Sequence, residues 1–488
     1  MMIFREKGIV VLTIFFITAC SSSNPDNSVD TSSESAKIRL NSAAFEDEAL
    51  YQCVTNSGAR YFEDIIDLDC SSPINSFKGL EKANNLQSIS ISVFGNDISS
   101  LAEVTSLQSI SIYECDNTIA PNITNLRFLP NLVNFSIASD IFSDLDQFAE
   151  FSNLSSLTVE GGCKGPSIVS DLSVIPLIQN LEYFKLDSYM VSDLMPLKDA
   201  MKLTTLELSI DNGILVSNGN PIVSSLSDIN PLASLTNLKS LRLGSLGAID
   251  KITDISALSS LVNLETLVLI NLPMTDITAL SSLVSLKSLA LTGAIEVTDL
   301  SPIENLLMLE ELSISGNMLV TNERAKFINI DALTGLPNLR ILNLSDTLIT
   351  DFSPLSNLGS LESFRSRYNN ISNISFVTDL NNLKYLEFSY NNIEDISPIA
   401  NLTNLTGLNF TGNNISDIST ISNLNNLDNL ELNNNNLTDI SVFYSFEPGQ
   451  LKIVYLSGNV NINCVQVNEL KEMNILPAGL SLRGLCVN

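Results

Sequence analysis

The residues of this chain best equipped to recognise another molecule lie between positions 343 and 390: Asn343, Asp346, Arg365, Arg367, Tyr368, Tyr385, Glu387 and Tyr390. Arg supplies a planar fork of donors and Tyr a ring with a polar tip, and both types are enriched in interaction hot spots. Two arginines one residue apart stand out in a chain with 54 Asp and Glu against 25 Lys and Arg, a formal net charge of −29. The bland alternative is that they only pair with Glu387 and Asp346 as surface ion pairs. A sparser second group is Tyr113, Glu114, Tyr183 and Lys185. Catalytic chemistry has less to work with. Without histidine, Ser-His-Asp and Cys-His mechanisms and His-ligated zinc sites are out of reach. No paired-acid motif stands out, so the chain reads as a non-enzyme with no metal and no cofactor. The recurring Asp residues sit in neither a glycine-rich calcium nonapeptide nor an EF-hand loop, which leaves solvation of an outer face as their reading. The acidity also excludes nucleic acid as an expected partner.

Whether those side chains share one surface depends on the elements that carry them. The stretch 391–427 restates itself at a spacing of 22 residues, matching Asn391 with Asn413, Ile393 with Ile415, Asp395 with Asp417 and Leu405 with Leu427. A fixed period in the twenties marks a solenoid. Within a unit, Leu405, Leu408, Phe410 and Asn413 follow the pattern L-x-x-L-x-L-x-x-N, whose alternation predicts a short strand. Ile415, Ile418, Ile421 and Leu424 then step by three, the period of a 3₁₀-like return leg. Asn413 sits where the chain leaves the strand, and stacked asparagines there would form a ladder that satisfies turn backbone. Sixteen such units start between Leu86 and Leu451, and seven of the fifteen steps are 22 residues. Longer steps after Leu203 and Leu309 place insertions near 212–224 and 319–327, read as loops bulging from the edge or convex side. Alternation puts positions three, five, seven and eight on a concave sheet, where Ser88, Ser111, Thr205 and Ser288 are typical and the Arg/Tyr group is the exception. Ser366 stands at a core position that expects Leu, which predicts a loosened strand.

The ends of the chain differ from its repeats. Arg5, Glu6 and Lys7 precede an apolar run, Gly8 to Ala19, that is too short to span a bilayer and has the layout of a secretory signal over residues 1–19. Residues 20–40 are rich in Ser, Asn and Asp and read as a flexible tether. From Asn41 to Asn56 the spacing predicts a helix with Phe45, Ala49, Leu50, Cys53 and Val54 on one face. Ile66 and Leu68 then fall in the phase of a first strand. After the repeats, residues 460–488 include a helical stretch at Val465–Met473.

Several of these segments carry resemblances. Through the D-I-S-x-L-x-x-L-x-x-L signature over 81–459, the chain resembles internalin-type leucine-rich-repeat proteins. Residues 41–80 resemble their N-terminal cap, and 460–488 the Cys-flanked caps of extracellular members. The resemblance implies an α/β-type solenoid, a horseshoe or arc with a parallel concave β-sheet, a 3₁₀- and turn-rich convex side and a cap at each end. It also implies disulfides Cys53–Cys70 and Cys464–Cys486, with free buried thiols as the alternative for the first. Cys115 and Cys163 read as unpaired. The Ile17-Thr18-Ala19-Cys20 end of the signal resembles the bacterial lipobox, which implies acylation of Cys20 and membrane attachment, with an ordinary signal peptide as the alternative. Ser21 after it implies the outer membrane of a Gram-negative cell, with the body facing outward. The function implied is a receptor- or adhesin-like protein that holds a protein or glycan ligand on its concave face; the alternative is a structural, self-associating spacer of the envelope. The many Asn-x-Ser/Thr triplets, Asn401 and Asn414 among them, follow from the repeat and are assigned no glycosylation.

Overall fold

The computed structural model describes residues 37–488 apart from 94–97, 115–120, 140–141, 144, 163–166, 189, 211–215, 218–219, 224–225, 246–247, 250, 317–323, 460–461, 478–485 and 488. The signal segment, Cys20, nearly all of the tether and the positions of Cys115 and Cys163 therefore lie outside the described residues. Of two compact units, the one described is Arg39–Asn488. No helix among the described residues is long and apolar enough to cross a membrane.

The unit is a leucine-rich-repeat solenoid. Its main sheet has 17 strands, all parallel and paired in register, so that Leu342, Phe364, Leu386, Leu408, Leu430 and Val454 form one row from coil to coil. Each of the sixteen starts from Leu86 to Leu451 heads one of these strands and is buried. The remaining strand is Asp67–Ile74, which pairs with Ser88–Val93. From Glu311–Ser315 to Ile341–Asn343 the strands shorten from five residues to three. Return legs contain the expected 3₁₀ turns, for example Ser397–Ile399 and Ser419–Asn423.

Asparagines join the coils in two ladders. In the predicted one, Asn369, Asn391, Asn413, Asn435 and Asn459 are all buried. Asn413 Nδ2 donates to Phe388 O of the preceding coil and to Phe410 O of its own, both at 2.9 Å, while its Oδ1 accepts from Ile393 N at 3.0 Å. One side chain thus satisfies three backbone groups that no sheet or helix could pair. The second ladder runs just ahead of the strands: Asn382 donates to Gly359 O at 2.7 Å, Asn404 to Asn381 O and Asn426 to Thr403 O at 2.8 Å. Earlier coils repeat it at Asn153, Asn180, Asn237 and Asn263. In the two coils that follow Asn263 the equivalent positions are Ser285 and Met308.

The recurring Asp residues have a role beyond solvation. Asp395, Asp417 and Asp439 each accept from the amide two residues on, Ser397, Ser419 and Ser441, at 2.8 Å, which fixes the entry to the 3₁₀ turn. A further row alternates in sign at position two of each coil: Lys239, Glu265, Lys287, Glu310, Arg340, Glu362, Lys384. Lys287 lies 2.7 Å from Glu265, Arg340 2.9 Å and Lys384 2.8 Å from Glu362.

Four expectations change. The helix begins at Glu48, not Asn41, because Asp47 caps it by accepting from Leu50 N at 3.1 Å, and a 3₁₀ turn at Ser42–Ala44 precedes it. In this α1 (Glu48–Asn56) Leu50 and Val54 are buried, and a disulfide ties Cys53 to Cys70. The first strand starts at Asp67, leaving Ile66 exposed. The first insertion is not a plain loop: Val216–Ser217 pairs antiparallel with Asn220–Val223, which pairs with Ala248–Ile249 of the next coil. The second insertion ends in core, with Ala325 and Phe327 fully buried. At the other end α2 spans Cys464–Glu472, capped by Asn463; the side chains of Cys464 and Cys486 lie outside the described residues.

Replacing Asn413 by Ala leaves those backbone groups without partners, so the unfolding free energy should fall by about 2–4 kcal/mol. The same change at exposed Asn414 should cost under about 0.5 kcal/mol, both read from denaturant midpoints. Acid should weaken the fold. Hydrogen bonds to Ser301, Ser353 and Ser419 hold the carboxyls of Asp299, Asp351 and Asp417 below the ordinary 3.8, and Arg340 with Lys384 holds Glu362 at about 2 instead of 4.5. Folded-state values below unfolded ones give stability that is complete above the unfolded pKa and is lost as pH falls through the folded one. Half-buried Asp346 and Glu431, whose carboxyls are pushed up, act in the opposite sense but are fewer. Melting temperature should be level above about pH 5 and drop between about pH 4.5 and 2, with a smaller Glu362 share in a Glu362→Gln variant.

Candidate binding surface

Parallel register brings the residues singled out in the sequence together. The strands Ile341–Asn343, Ser363–Arg365 and Tyr385–Glu387 place Asn343, Arg365 and Glu387 in one row, which Asn409 and Glu431 continue. Glu387 is 8% exposed and sits between the arginines, with Arg365 Nε at 3.6 Å and Arg367 Nε at 3.2 Å. The Arg367 contact is close enough for charge pairing but is not aligned as a hydrogen bond, and this Nε has no other partner. Tyr385 adds its hydroxyl to Glu387 at 3.5 Å and receives the Arg365 guanidinium over its ring at 5.5 Å. Burial and the Glu387 charge push the Tyr385 hydroxyl up to about 12.

Tyr368 and Tyr390 stack in parallel, centroids 4.5 Å apart and planes within 4°. The separation matches the ~4.8 Å spacing of adjacent strands, so one ring from each of two coils makes the pile. The Arg367 guanidinium lies 5.5 Å from the Tyr368 centroid. Both tyrosines have left-handed backbone, φ 52° and 58°. Other coils use Asn271, Asp346, Asn434, Gly293, Gly412 and Gly458 at this position, the types that tolerate positive φ. A bulky residue there is strained by about 1–3 kcal/mol, and such strain concentrates at ligand clamps. Glycines of the next coil give the rings room: a Cβ on Gly407 would lie 2.6 Å from Tyr385 Cδ2, and one on Gly412 2.7 Å from Tyr390 Cδ1.

Other predicted residues serve the frame. Asn343 donates to Ser313 Oγ at 3.0 Å and accepts from Ser345. Asp346 is half-buried with one carboxylate oxygen unpartnered, and burial raises its pKa against the pull of Arg367. Ser366 does not loosen its strand. It is fully buried, donates to Leu344 O at 3.3 Å and accepts from Asn369 at 2.5 Å. Its strand has three residues like its neighbours, and the small side chain lies in the coil where Phe364 meets Phe388 edge-on at 5.1 Å.

The second sequence group does not assemble. Tyr113 and Tyr183 stand three strands apart; Tyr183 donates to Glu207 at 3.1 Å and Lys185 pairs with Glu160 at 2.6 Å. Glu114's side chain lies outside the described residues. Sequence reasoning missed Gly407, Gly412, Asn409 and Glu431, and the signal available was the Gly/Asn/Asp habit of position eight, which Tyr368 and Tyr390 break. It also missed a groove of about 500 Å³ where the second asparagine ladder is interrupted, lined by Lys239, Asn263, Glu265, Val284, Lys287 and Met308. Among the described residues no three His, Cys, Asp or Glu side chains group as a metal site requires.

No family model and no curated protein matches this chain. Among solved structures it is similar to a leucine-rich-repeat protein of Leptospira interrogans, with 21% identity, a TM-score of 0.54 and 85% of this chain and 92% of that one covered. An internalin of Listeria monocytogenes covers 86% of this chain and 97% of its own at 22% identity and a TM-score of 0.45. A second internalin of that species, C2, has 36% identity over 40% of this chain and 82% of its own, with a TM-score of 0.37.

If the tyrosines are there for recognition and not for packing, Tyr390→Asn should trade stacking for relaxed backbone and leave the unfolding free energy within about 1 kcal/mol. Phe388→Ala, in the buried interior of the same coil, should cost about 3–5 kcal/mol in the same denaturation series.

Proposed function

Since the chain is a leucine-rich-repeat protein whose structural neighbours include internalins, we propose that it is a non-catalytic binding protein of the bacterial envelope, receptor- or adhesin-like, presenting its concave sheet to a protein or glycan ligand. The observation that carries this reading is the stacked pair Tyr368 and Tyr390, held in left-handed backbone beside Arg365, Glu387 and Arg367. Packing alone has no use for tyrosine where glycine or asparagine is unstrained. The structural neighbours support the reading as analogy, because a fold hosts many functions. Signal residues 1–19, the Cys20 lipobox and the tether support a lipid-anchored protein of the outer membrane that faces outward.

Self-association is the second reading, and one observation favours it. Val262, Val284, Leu307 and Met308 are 45–56% exposed in consecutive coils, beside the groove where the asparagine ladder is interrupted. Apolar side chains in a row on that edge are what a second copy would cover.

The test is made on cells displaying the full chain over immobilised matrix proteins and polysaccharides. The triple variant Arg365→Gln, Arg367→Gln, Glu387→Gln, which removes both guanidinium groups together with the carboxylate they share, should weaken capture by at least about tenfold, or 1.4 kcal/mol, with its melting temperature within a few degrees. Cys20→Ser should move both chain and capture from the cells to the medium. Capture that survives the triple replacement sinks the concave-face assignment.

A further inference from the structure

The edge that leads into the strands changes character in the coils that follow Asn263. One residue ahead of each coil start, the second asparagine ladder ties coil to coil: Asn263 donates to Thr236 O and Asn338 to Leu307 O, both at 2.9 Å. The two coils between them place Ser285 and Met308 there, and among the described residues neither makes the bond. The groove of about 500 Å³ lies at this gap, with Ser285, Val284, Met308, Lys239, Glu265 and Lys287 in its lining. Its groups reach solvent: Val284 is 56% and Met308 48% exposed, and the side chains of Lys239 and Lys287 are 64% and 47% exposed.

Two rows along this edge constrain what can cover it. The first is apolar: Val262, Val284 and Leu307, each two residues ahead of its coil start, follow one another in consecutive coils, and Met308 adjoins them. The second is position two, which reads Lys239, Glu265, Lys287, Glu310, Arg340 and Glu362, three charges of each sign. In a chain of net charge −29 this strip is neutral. A partner of one sign would be repelled at every second coil. A matching surface must be apolar along one row and alternate in charge along the next with the ~4.8 Å spacing of the coils. The edge itself, turned end to end, has both properties. About a two-fold axis that passes between the coils starting at Leu286 and Leu309, Lys287 meets Glu310 of the other copy, Glu265 meets Arg340 and Lys239 meets Glu362. An axis through either coil would oppose like charges instead. The same rotation sets Val284 against Leu307 and brings Met308, a flexible side chain suited to irregular gaps, over Ser285 at the groove, twice by symmetry.

Resting on the self-association reading above, we infer that this edge is a homodimer interface in which two copies meet antiparallel about that axis. The contact uses residues ahead of the strands and position two, so positions three to eight of the concave sheet stay open to a ligand. Six coils span about 24 Å, which makes the interface small and the dimer weak.

The detergent-solubilised full chain, followed by sedimentation velocity between about 1 and 200 µM, should pass from monomer to dimer with a Kd of about 1–100 µM. Met308→Glu, Lys287→Glu and Glu310→Lys should each weaken association by about tenfold or more, with melting temperatures within a few degrees because these side chains are exposed. Mixing the Lys287→Glu and Glu310→Lys chains should restore the dimer, since both contacts between positions 287 and 310 then join opposite charges. A chain that stays monomeric to about 200 µM overturns the interface and the self-association reading together. A dimer indifferent to all three substitutions leaves self-association standing and overturns its placement on this edge. Loss in the single variants without recovery on mixing overturns the two-fold register.

Discussion

In-register stacking is the constraint on which the molecule depends. Every residue of a main-sheet strand lies about 4.8 Å from its counterpart in the neighbouring coil, so each of these positions must tolerate being stacked on itself. Leucine does this by filling shared volume, and the rows from Leu86 to Leu451 form one continuous interior. Asparagine does it because its amide both donates to and accepts from backbone of the preceding coil, so that Asn391, Asn413 and Asn435 each tie their coil to the one before. Charge fails the same test, since identical ions would meet face to face. Position two therefore alternates in sign from Lys239 to Lys384, and Glu362 gains a cation on each side.

The same constraint explains what could and could not be read from the sequence. Features that repeat within one unit were legible: the strand at Leu408 and Phe410, the 3₁₀ return leg at Ile418 and Ile421, and the asparagine row. Features whose partners lie in the next coil were less so. The second asparagine ladder uses residues as regular as the first, yet Asn404 looks like a surface residue until Asn381 O is seen beside it. The recurring Asp residues look like a charged coat, and each is bonded to the amide two positions on. Alternating charge at position two shows in the letters only when every second coil is compared, because neighbouring units carry opposite signs. At the ends, where nothing repeats, local rules decided: Asp47 set the start of α1 by capping it, a choice that apolar spacing alone does not register.

The candidate surface was legible in membership and not in geometry. Arg365, Arg367, Tyr385 and Glu387 were placed on one face by simple alternation. That Glu387 is nearly buried between the two arginines, and that Gly407 and Gly412 clear space for two rings, required three adjacent coils in position at once. Ser366 taught the opposite lesson. A departure from the leucine pattern reads as weakness, but here a small hydroxyl is what Asn369 and Leu344 O need and what the bulk of Phe364 leaves room for.

The ion pairs on this face do not by themselves argue for binding, because Arg365 and Arg367 find their charge in Glu387, as the bland reading of the sequence required. What separates the two readings is surplus. One carboxylate cannot occupy the donors of two guanidinium groups, and Arg365 and Arg367 remain 48% and 39% exposed at the side chain with donors to spare. Pairing with Glu387 holds these forks in place, which lowers the entropy lost when a partner takes the remaining donors. A charge pair evolved only for stability would need neither the exposed forks nor, beside them, two tyrosines in a backbone conformation that asparagine fills without strain. Stability explains Glu387; it leaves Tyr368 and Tyr390 without a reason.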